Sequence, residues 1–260
     1  MKVLVKLGGT LLDDPDSRSA LAAEIAGLRA RGVEAVVVHG GGKQMTRFLA
    51  ERGVESRFVK GLRVTTPEVV DALMKVFAGS VNKGLAAALN AAGARAVGIS
   101  GIDAGLAIAS QMDPELGAVG RIERVDASLL DLLAQEGYLP VVACVAGGPR
   151  GEVFNVNADQ MAATCAAAYG AAKLLFLTDV EGVKGPGGGV IAALTVPEAE
   201  ELIASGVATG GMQAKLESAM AALQGGAGEV VIAPGAAPGV VGRLLDGEAI
   251  GTRLLGRAQP

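Results

Sequence analysis

Apolar positions along the chain follow two different periods. Short apolar runs such as Val3–Val5 and Leu174–Leu177 are typical of strands buried on both faces of a sheet. Elsewhere apolar residues recur at spacings of three and four, as at Leu21, Ile25 and Leu28, which predicts helices with one apolar face. The two signals alternate from end to end. This order predicts an α/β fold with a mainly parallel sheet that helices cover on both faces.

The same pattern predicts where the other elements lie. Further strands are predicted at Ala35–Val38, Ala96–Ile99, Ala107–Ala109, Val119–Glu123, Leu139–Cys144, Val153–Val156, Val230–Ala233 and Thr252–Leu255. Further helices are predicted at Lys43–Arg52, Pro67–Phe77, Val81–Ala91, Ser128–Glu136, Asp159–Tyr169, Glu198–Ser205, Met212–Leu223 and Val240–Asp246. Residues 105–125 are expected to form an inserted hairpin, and Gly182–Gly189 a flexible loop. No linker or repeat interrupts the pattern, so residues 1–260 are expected to form a single domain.

Composition excludes several classes of function. The net charge is −4 and only 3% of the residues are aromatic, so the chain lacks the basic field and stacking surfaces of nucleic-acid-binding proteins. The apolar stretch Met161–Ala172 is shorter than the roughly 20 residues of a membrane-spanning helix. Two cysteines and one histidine provide neither a disulfide framework nor a zinc site. We expect a cytoplasmic protein that binds neither nucleic acid nor membrane and has no metal ligands of its own.

Glycines follow two of the predicted strands. Gly8 and Gly9 come after the first strand, and Gly40–Gly42 after the second. Ligands bind at the carboxyl ends of parallel strands, where glycine allows backbone N–H groups to approach an anion. One such turn could be no more than a tight strand-to-helix connection. Two of them, with Lys6 two residues before the first, predict an anion site, because a lysine in a buried strand is costly without an anion.

Common nucleotide and hydrolase motifs are absent from the sequence. There is no G-x-G-x-x-G, and Gly42-Lys43-Gln44 lacks the spacing and the Ser/Thr of a P-loop. His39 with its three glycines resembles the oxyanion loop of lipases and esterases. However, that chemistry needs a G-x-S-x-G turn and a second histidine that acts as the base, and the chain has neither. The interpretation as a hydrolase therefore fails.

The second half of the chain contains three further polar clusters. Asn155, Asn157 and Asp159 surround a predicted strand end and helix start, and a helix cap explains only one of them. Thr178-Asp179 follows a buried strand and leads into the glycine-rich loop, which suits the edge of a nucleotide site. Lys215 lies in the first turn of a predicted helix, where a cation is unfavourable unless an anion is near. A solvated surface lysine is the alternative.

Seven motifs together resemble the N-acetylglutamate kinases of the amino acid kinase superfamily, over essentially the whole chain. In chain order they are Lys6-Leu7-Gly8-Gly9, Val38-His39-Gly40-Gly41-Gly42, Lys60-Gly61-Leu62-Arg63-Val64-Thr65, Asn155-Val156-Asn157-Ala158-Asp159, Thr178-Asp179, Gly211-Met212 with Lys215, and Gly251-Thr252-Arg253. The resemblance implies a three-layer αβα sandwich of the amino acid kinase or carbamate kinase type. It also implies an acceptor site in residues 1–172 and an ATP site in residues 173–260.

The resemblance further implies an activity and the residues that perform it. The reaction would be ATP-dependent phosphorylation of the γ-carboxylate of N-acetyl-L-glutamate in arginine biosynthesis, with Mg²⁺ carried by the nucleotide. Lys6 and Lys215 would stabilise the transferring phosphoryl group, and Asp159 would orient them. The acetylglutamate would be held by Gly8, Gly9, Gly41, Gly42, Arg63, Asn155 and Asn157. The nucleotide would be bound by Thr178, Asp179, Val180, Glu181, Gly182, Val183, Lys184, Val207, Ala208 and Thr209.

Two alternative functions remain open for this sequence. A kinase of the same superfamily that phosphorylates aminoadipate or glutamate on an acidic carrier protein would be expected to have a basic rim, whereas this chain is net acidic. A non-catalytic nucleotide-binding regulator would not need Lys6, Lys215 and Asp159 together.

The two helices predicted between Pro67 and Ala91 carry more apolar residues than one stripe can bury. This surplus, together with the resemblance, predicts a homodimer formed through them. We expect no long helix before the first strand, which is predicted to begin at Val3. In the family such an extension accompanies hexamers and feedback inhibition by arginine, so the chain is expected to be arginine-insensitive.

Overall fold

The computed structural model describes residues 1–256 and contains thirteen strands and ten α-helices in that range. The strands are β1 Lys2–Leu7, β2 Glu34–His39, β3 Phe58–Val59, β4 Leu62–Arg63, β5 Ala96–Gly101, β6 Ala107–Gln111, β7 Gly120–Val125, β8 Leu139–Gly147, β9 Val153–Asn155, β10 Lys173–Thr178, β11 Ala193–Thr195, β12 Glu229–Pro234 and β13 Thr252–Leu255. The helices are α1 Gly9–Asp13, α2 Pro15–Ala26, α3 Gly42–Ala50, α4 Pro67–Leu73, α5 Asn82–Ala91, α6 Ser128–Gln135, α7 Ala158–Tyr169, α8 Val196–Ala204, α9 Gly210–Gln224 and α10 Val240–Leu245.

Eleven of these strands form one sheet in the order β11-β13-β12-β10-β1-β2-β8-β6-β7, with β5 and β9 also paired to β8. The central pairs, β1 with β2, β1 with β10 and β2 with β8, are parallel. Antiparallel pairing is found between β12 and β13, β6 and β7, and β8 and β9. The predicted mainly parallel sheet is confirmed, and residues 105–125 contain the predicted hairpin as β6 and β7.

Helices cover both faces of the sheet. On one face Leu4 and Phe176 pack in a cluster with Leu216 of α9. On the other face Val5 packs in a cluster with Ile25 of α2. Successive strand residues point to opposite faces, so β1 contributes to both clusters. The three-layer sandwich predicted from the resemblance is therefore confirmed. No helix among the described residues is long and apolar enough to cross a membrane.

Helix ends follow the local sequence. Asp14 begins α2 by accepting a hydrogen bond from the backbone nitrogen of Ser17 at 2.9 Å, and Pro15 occupies the first helical position. Thr195 begins α8 with a capping box that includes Glu198. These signals are local, which is why the sequence predicts them well.

The region from Pro67 to Ala91 differs from the prediction of two separate helices. Here α4 continues through a π-helical segment, Met74–Val81, directly into α5. Most of its apolar side chains are buried within the same chain, namely Val69, Leu73, Val76, Phe77, Leu85, Ala86 and Leu89. The apolar surplus is therefore smaller than the sequence indicated. Met74 is 38% exposed, and Val70 is half-buried.

Four short elements, namely α1, β3, β4 and β11, were not predicted. β3 and β4 form a separate two-stranded hairpin, and β11 pairs in parallel with β13 at the sheet edge. The glycine-rich loop forms a tight turn in which the nitrogen of Gly185 donates to the oxygen of Gly189 at 2.9 Å, next to a bridge between Lys184 and Val190. Strands of two or three residues are too short to produce a hydrophobic period.

Candidate active site

The motifs singled out in the sequence meet at one edge of the sheet. β1 lies between β2 and β10, with Leu7 in register with His39 and with Leu177. All three strands are parallel, so their carboxyl ends, and the glycine turns and Thr178-Asp179 that follow them, lie side by side. Asp159 at the start of α7 and Lys215 in the second turn of α9 meet at the same place.

Asp159 joins two lysines from distant parts of the chain. Its Oδ1 lies 2.6 Å from Nζ of Lys6 in β1, and its Oδ2 lies 2.9 Å from Nζ of Lys215 in α9. The exposed fractions of these side chains are 7% for Asp159, 8% for Lys6 and 17% for Lys215. Two cations and one anion are thus enclosed together, and the cluster has a net charge of +1.

Electrostatics keep Asp159 ionised in this environment. Burial raises the pKa of its carboxyl, but Lys6 and Lys215 lower it more strongly, so the pKa lies below its ordinary value. Asp159 is also the second residue of α7, where the helix dipole stabilises negative charge.

Lys215 lies in the second turn of α9, since that helix starts at Gly210 and not at Met212 as predicted. The contact with Asp159, and not the helix end, therefore accounts for its position.

The two glycine turns face each other beside this cluster. A Cβ atom built on Gly9 would lie 3.6 Å from the nitrogen of Gly42 and 3.9 Å from that of Gly41. Gly9 begins α1 and Gly42 begins α3, and first-turn N–H groups have no partner within their own helix. Gln44 ties the turns together by donating from Nε2 to the oxygen of Gly9 at 3.3 Å. Both turns thus present backbone donors to one space.

Arg63 lies next to the second glycine turn. Its guanidinium is buried and donates to the oxygen of Gly42 at 3.2 Å, to Oγ1 of Thr46 at 2.7 Å and to Oγ of Ser56. The ring of Phe58 lies 4.7 Å from it. These contacts fix the direction of the guanidinium, which suits recognition of a carboxylate.

Asn155 and Asn157 have different surroundings. Asn155 donates from Nδ2 to Oγ1 of Thr65 at 3.0 Å, and Thr65 donates to the backbone oxygen of Arg63 at 2.9 Å. Asn155 is therefore linked to Arg63. The side-chain oxygen of Asn157 caps α7, accepting from the nitrogen of Asp159 at 2.8 Å. That oxygen therefore holds the start of α7, and with it Asp159, in place.

The predicted nucleotide residues divide into an exposed group and a buried group. Asp179 accepts hydrogen bonds from Thr178 at 3.1 Å and from Thr10 of α1 at 3.3 Å. Burial raises the pKa of Asp179, but hydrogen bonds and the charge of Lys215 hold it below its ordinary value. The exposed predicted residues are Asp179, Val180, Glu181, Lys184, Val207 and Thr209.

The side chains of Val183 and Ala208 are buried in the core, so only their backbone atoms could contact a nucleotide. Gly182 is also buried, and a Cβ there would lie 2.7 Å from Val190. Among residues 1–256, no cluster of three or more His, Cys, Asp or Glu side chains could hold a metal ion.

Several supporting residues were missed by reasoning from the sequence. Gln44, Thr46, Ser56, Thr65 and Thr10 all make the contacts described above. Thr65 falls inside the motif that contains Arg63, and that neighbourhood could have identified it. The others lie on surfaces brought together only by the fold, so no spacing along the chain marks them.

Comparison with known proteins agrees with this geometry. Residues 1–234 match the family model described as amino acid kinase family. A protein named acetylglutamate kinase from Solibacter usitatus is 61% identical over 255 residues, which cover 98% of this chain and 99% of that protein. The chain has a TM-score of 0.87 and 28% identity to N-acetylglutamate synthase from Neisseria gonorrhoeae complexed with coenzyme A and N-acetyl-glutamate, covering 99% of this chain and 60% of that longer one.

A more distant structure, carbamate kinase from Giardia lamblia bound to AMP-PNP, shares the fold with a TM-score of 0.70 at 17% identity. The family match, the near-full-length relative and the motifs gathered at the sheet edge all agree. The chain belongs to the amino acid kinase family and, within it, to the acetylglutamate kinases.

Proposed function

We propose that this protein transfers the γ-phosphoryl group of ATP to the γ-carboxylate of N-acetyl-L-glutamate, giving N-acetylglutamyl 5-phosphate and ADP in arginine biosynthesis. The observation that supports it most is Asp159 held between Lys6 and Lys215 at 2.6 and 2.9 Å, beside two glycine turns. A relative of nearly equal length with 61% identity carries the name acetylglutamate kinase.

Positioning and charge stabilisation account for the chemistry. A γ-carboxylate, with a reference pKa of about 4.3, is ionised at neutral pH, so no general base is required. Phosphoryl transfer places negative charge on the attacking, leaving and equatorial oxygens. Lys6 and Lys215 provide two ammonium groups for that charge, and the N–H groups of the glycine turns provide further donors. Asp159 keeps the two lysines from repelling each other out of position.

The acceptor is assigned to the lobe formed by residues 1–172. Arg63 would bind a carboxylate of acetylglutamate through its guanidinium, and Asn155, linked to it through Thr65, would contact the same molecule. The backbone nitrogens of Gly9, Gly41 and Gly42 would face the γ-carboxylate and the phosphoryl group. The nitrogen of Gly8 already donates to the oxygen of Leu177 at 3.0 Å, so Gly8 would contribute by leaving room for the substrate. Asn157 contributes by holding the start of α7.

The nucleotide is assigned to residues 173–260. Val180 and Val207 expose apolar side chains, 38% and 37%, that suit the faces of an adenine ring, and Asp179 suits a hydroxyl or amino donor. Mg²⁺ would arrive on the phosphates of ATP and neutralise part of their charge. Asp159 is already paired with two lysines and so is a poor ligand for the ion. Because ATP and amino-acid precursors are cytoplasmic, we place the reaction in the cytoplasm.

We also propose that the protein is a homodimer formed through the α4 face, which consists of Val70 of α4 and Met74 of the π-helical segment that follows it. Val70 and Met74 lie one turn apart on it, and Val70 lines an open groove of about 890 Å³ together with Ala109, Pro114 and Phe154. An apolar groove beside an exposed methionine suits the same face of a second copy, as in a closed two-fold pair.

An acceptor panel tests the activity. ADP release would be measured with N-acetyl-L-glutamate, glutamate, aspartate, aminoadipate and a carrier-linked aminoadipate. We expect N-acetyl-L-glutamate to have the highest kcat/KM, and Asp159→Asn to serve as an inactive control. A higher kcat/KM for the carrier-linked acceptor would favour that alternative kinase. ATP binding without turnover of any acceptor would favour the regulator.

A further inference from the structure

A buried polar contact lies behind the glycine turn that follows β2. His39, the last residue of β2, and Asn82, the first residue of α5, are each 0% exposed. Nδ2 of Asn82 is 3.0 Å from Nε2 of His39. On the other side of the ring, Nδ1 is 2.8 Å from the oxygen of Gly40. The imidazole therefore connects a helix amide to the first peptide of the glycine turn.

The surrounding acceptors fix the position of the ring proton. Nδ2 of Asn82 also lies 2.8 Å from the oxygen of Val141 and 3.2 Å from that of Ile99. Two carbonyl oxygens require a donor between them, so this atom is the nitrogen of the amide. Its two hydrogens serve three acceptors, and one hydrogen is therefore shared. An NH₂ group cannot accept a hydrogen bond from the ring, so Nε2 accepts and Nδ1 carries the proton. Burial lowers the pKa of His39 to about 4, so the ring is neutral at physiological pH and Nδ1 donates to Gly40.

The same helical stretch also packs directly against the glycine turn. Phe77, in the π-helical segment, leaves no room for a side chain at position 41, since a Cβ on Gly41 would lie 2.8 Å from the ring. Gly98 of β5 leaves room for the amide, since a Cβ there would collide with Oδ1 of Asn82. Packing and hydrogen bonding thus fix the turn from one helix.

We propose that Asn82 is a positioning residue for phosphoryl transfer. It holds His39 in the Nδ1-protonated form, and His39 in turn orients the Gly40–Gly42 turn so that its N–H groups meet the charge that develops on the transferred group. Donors act in catalysis only when they are aimed in advance at that charge. The proposal rests on the proposed function for the identity of the transferred group, but not for the contact between Asn82 and His39.

The ring proton can be located without any substrate. His39 is the only histidine in the sequence, so ring-nitrogen NMR of histidine-labelled protein reports a single imidazole. We expect a protonated Nδ1 and an unprotonated Nε2 at neutral pH. Protonation at Nε2 would overturn the proposal, because Asn82 could then not donate to the ring.

Kinetics test the effect on catalysis. We expect Asn82→Ala to lower kcat with the acceptor by roughly 10- to 100-fold, the scale of a small misplacement at a reacting centre, while KM for ATP stays unchanged. Asn90→Ala is the matched control. Asn90 joins α5 to β5 through two hydrogen bonds to the backbone of Ala96 at 2.8 and 3.2 Å, and does not contact His39. Equal kinetics of the two variants would overturn the proposal.

A second variant tests the proposal in case Asn82→Ala does not fold. Gly98→Ala keeps Asn82 in the sequence but forces its amide to move, so it should lower kcat in the same direction as Asn82→Ala. Unchanged kcat in Gly98→Ala would contradict the proposal even if Asn82→Ala failed to fold. A wild-type protein inactive with every acceptor would refute the proposed function instead, and the NMR result would still decide whether Asn82 holds His39.

Discussion

Asp159, Lys6 and Lys215 connect catalysis with stability at the level of single residues. All three side chains are largely shielded from water, and the carboxylate depends on both lysines to stay ionised. Removing one partner of a buried ion pair leaves the other charge desolvated without compensation. A substitution at this cluster should therefore affect folding as well as turnover.

Lys6→Met separates the two effects. We expect kcat to fall by about 10²–10³, the scale for one lost donor to developing charge, and the free energy of unfolding to fall by about 3 kcal/mol. Denaturant unfolding and initial rates would measure both. In Lys6→Met/Asp159→Asn/Lys215→Met, which removes all three charges of the cluster, stability should recover while activity stays low. Normal turnover in Lys6→Met would exclude Lys6 from the reaction.

His39 gives the folded protein a specific pH dependence. Its pKa is lowered from 6.5 to about 4 by burial, so between these values the unfolded chain binds a proton that the folded chain does not. Stability is therefore fully present above pH 6.5 and is lost as the pH falls toward 4, with a slope approaching about 1.4 kcal/mol per pH unit. Urea unfolding between pH 7 and pH 5 measures it, and His39→Gln is the control. If the free energy of unfolding fell equally with pH in the wild-type protein and in His39→Gln, the assignment of this pH dependence to His39 would be contradicted.

At the level of elements, the sequence predicts what local signals determine. β1, β2, β10 and α2 follow from apolar runs, periodic spacing and caps. The chemistry of the site was also predictable in part, because Lys6 in a buried strand requires an anionic partner. The motif resemblance, more than spacing, identified that partner as Asp159.

Other features depend on contacts between distant segments. The π-helical segment Met74–Val81 has no distinct sequence pattern, and its burial depends on the sheet packed against it. Asn82 lies between Ser80 and Lys83 in the sequence, so no local pattern distinguishes it, and its partners His39 and Val141 lie 43 and 59 residues away in the chain. The predicted start of α9 is two residues too late, because the glycines at 210 and 211 do not give a helix signal in the sequence.

At the level of the whole molecule, the α4 face carries the predicted dimer contact. Most of the apolar surplus is buried within the chain, so the contact should depend on Met74, which is 38% exposed. We expect Met74→Glu to convert a dimer to a monomer in light scattering at micromolar concentration, since a charge is costly in an apolar interface. Leu132→Glu, at an apolar side chain that is 57% exposed on α6, should stay dimeric. A wild-type monomer would refute the dimer.

In the proposed reaction the transferred phosphoryl group ends on the γ-carboxylate of N-acetyl-L-glutamate. An acyl phosphate reacts with hydroxylamine to give a hydroxamate, so trapping during turnover identifies the bond that is formed. We predict acetylglutamyl hydroxamate in amounts equal to the ADP released, dependent on ATP and on N-acetyl-L-glutamate, and lost in Lys6→Met. ADP release without hydroxamate, or a larger yield from free glutamate, would contradict the assignment.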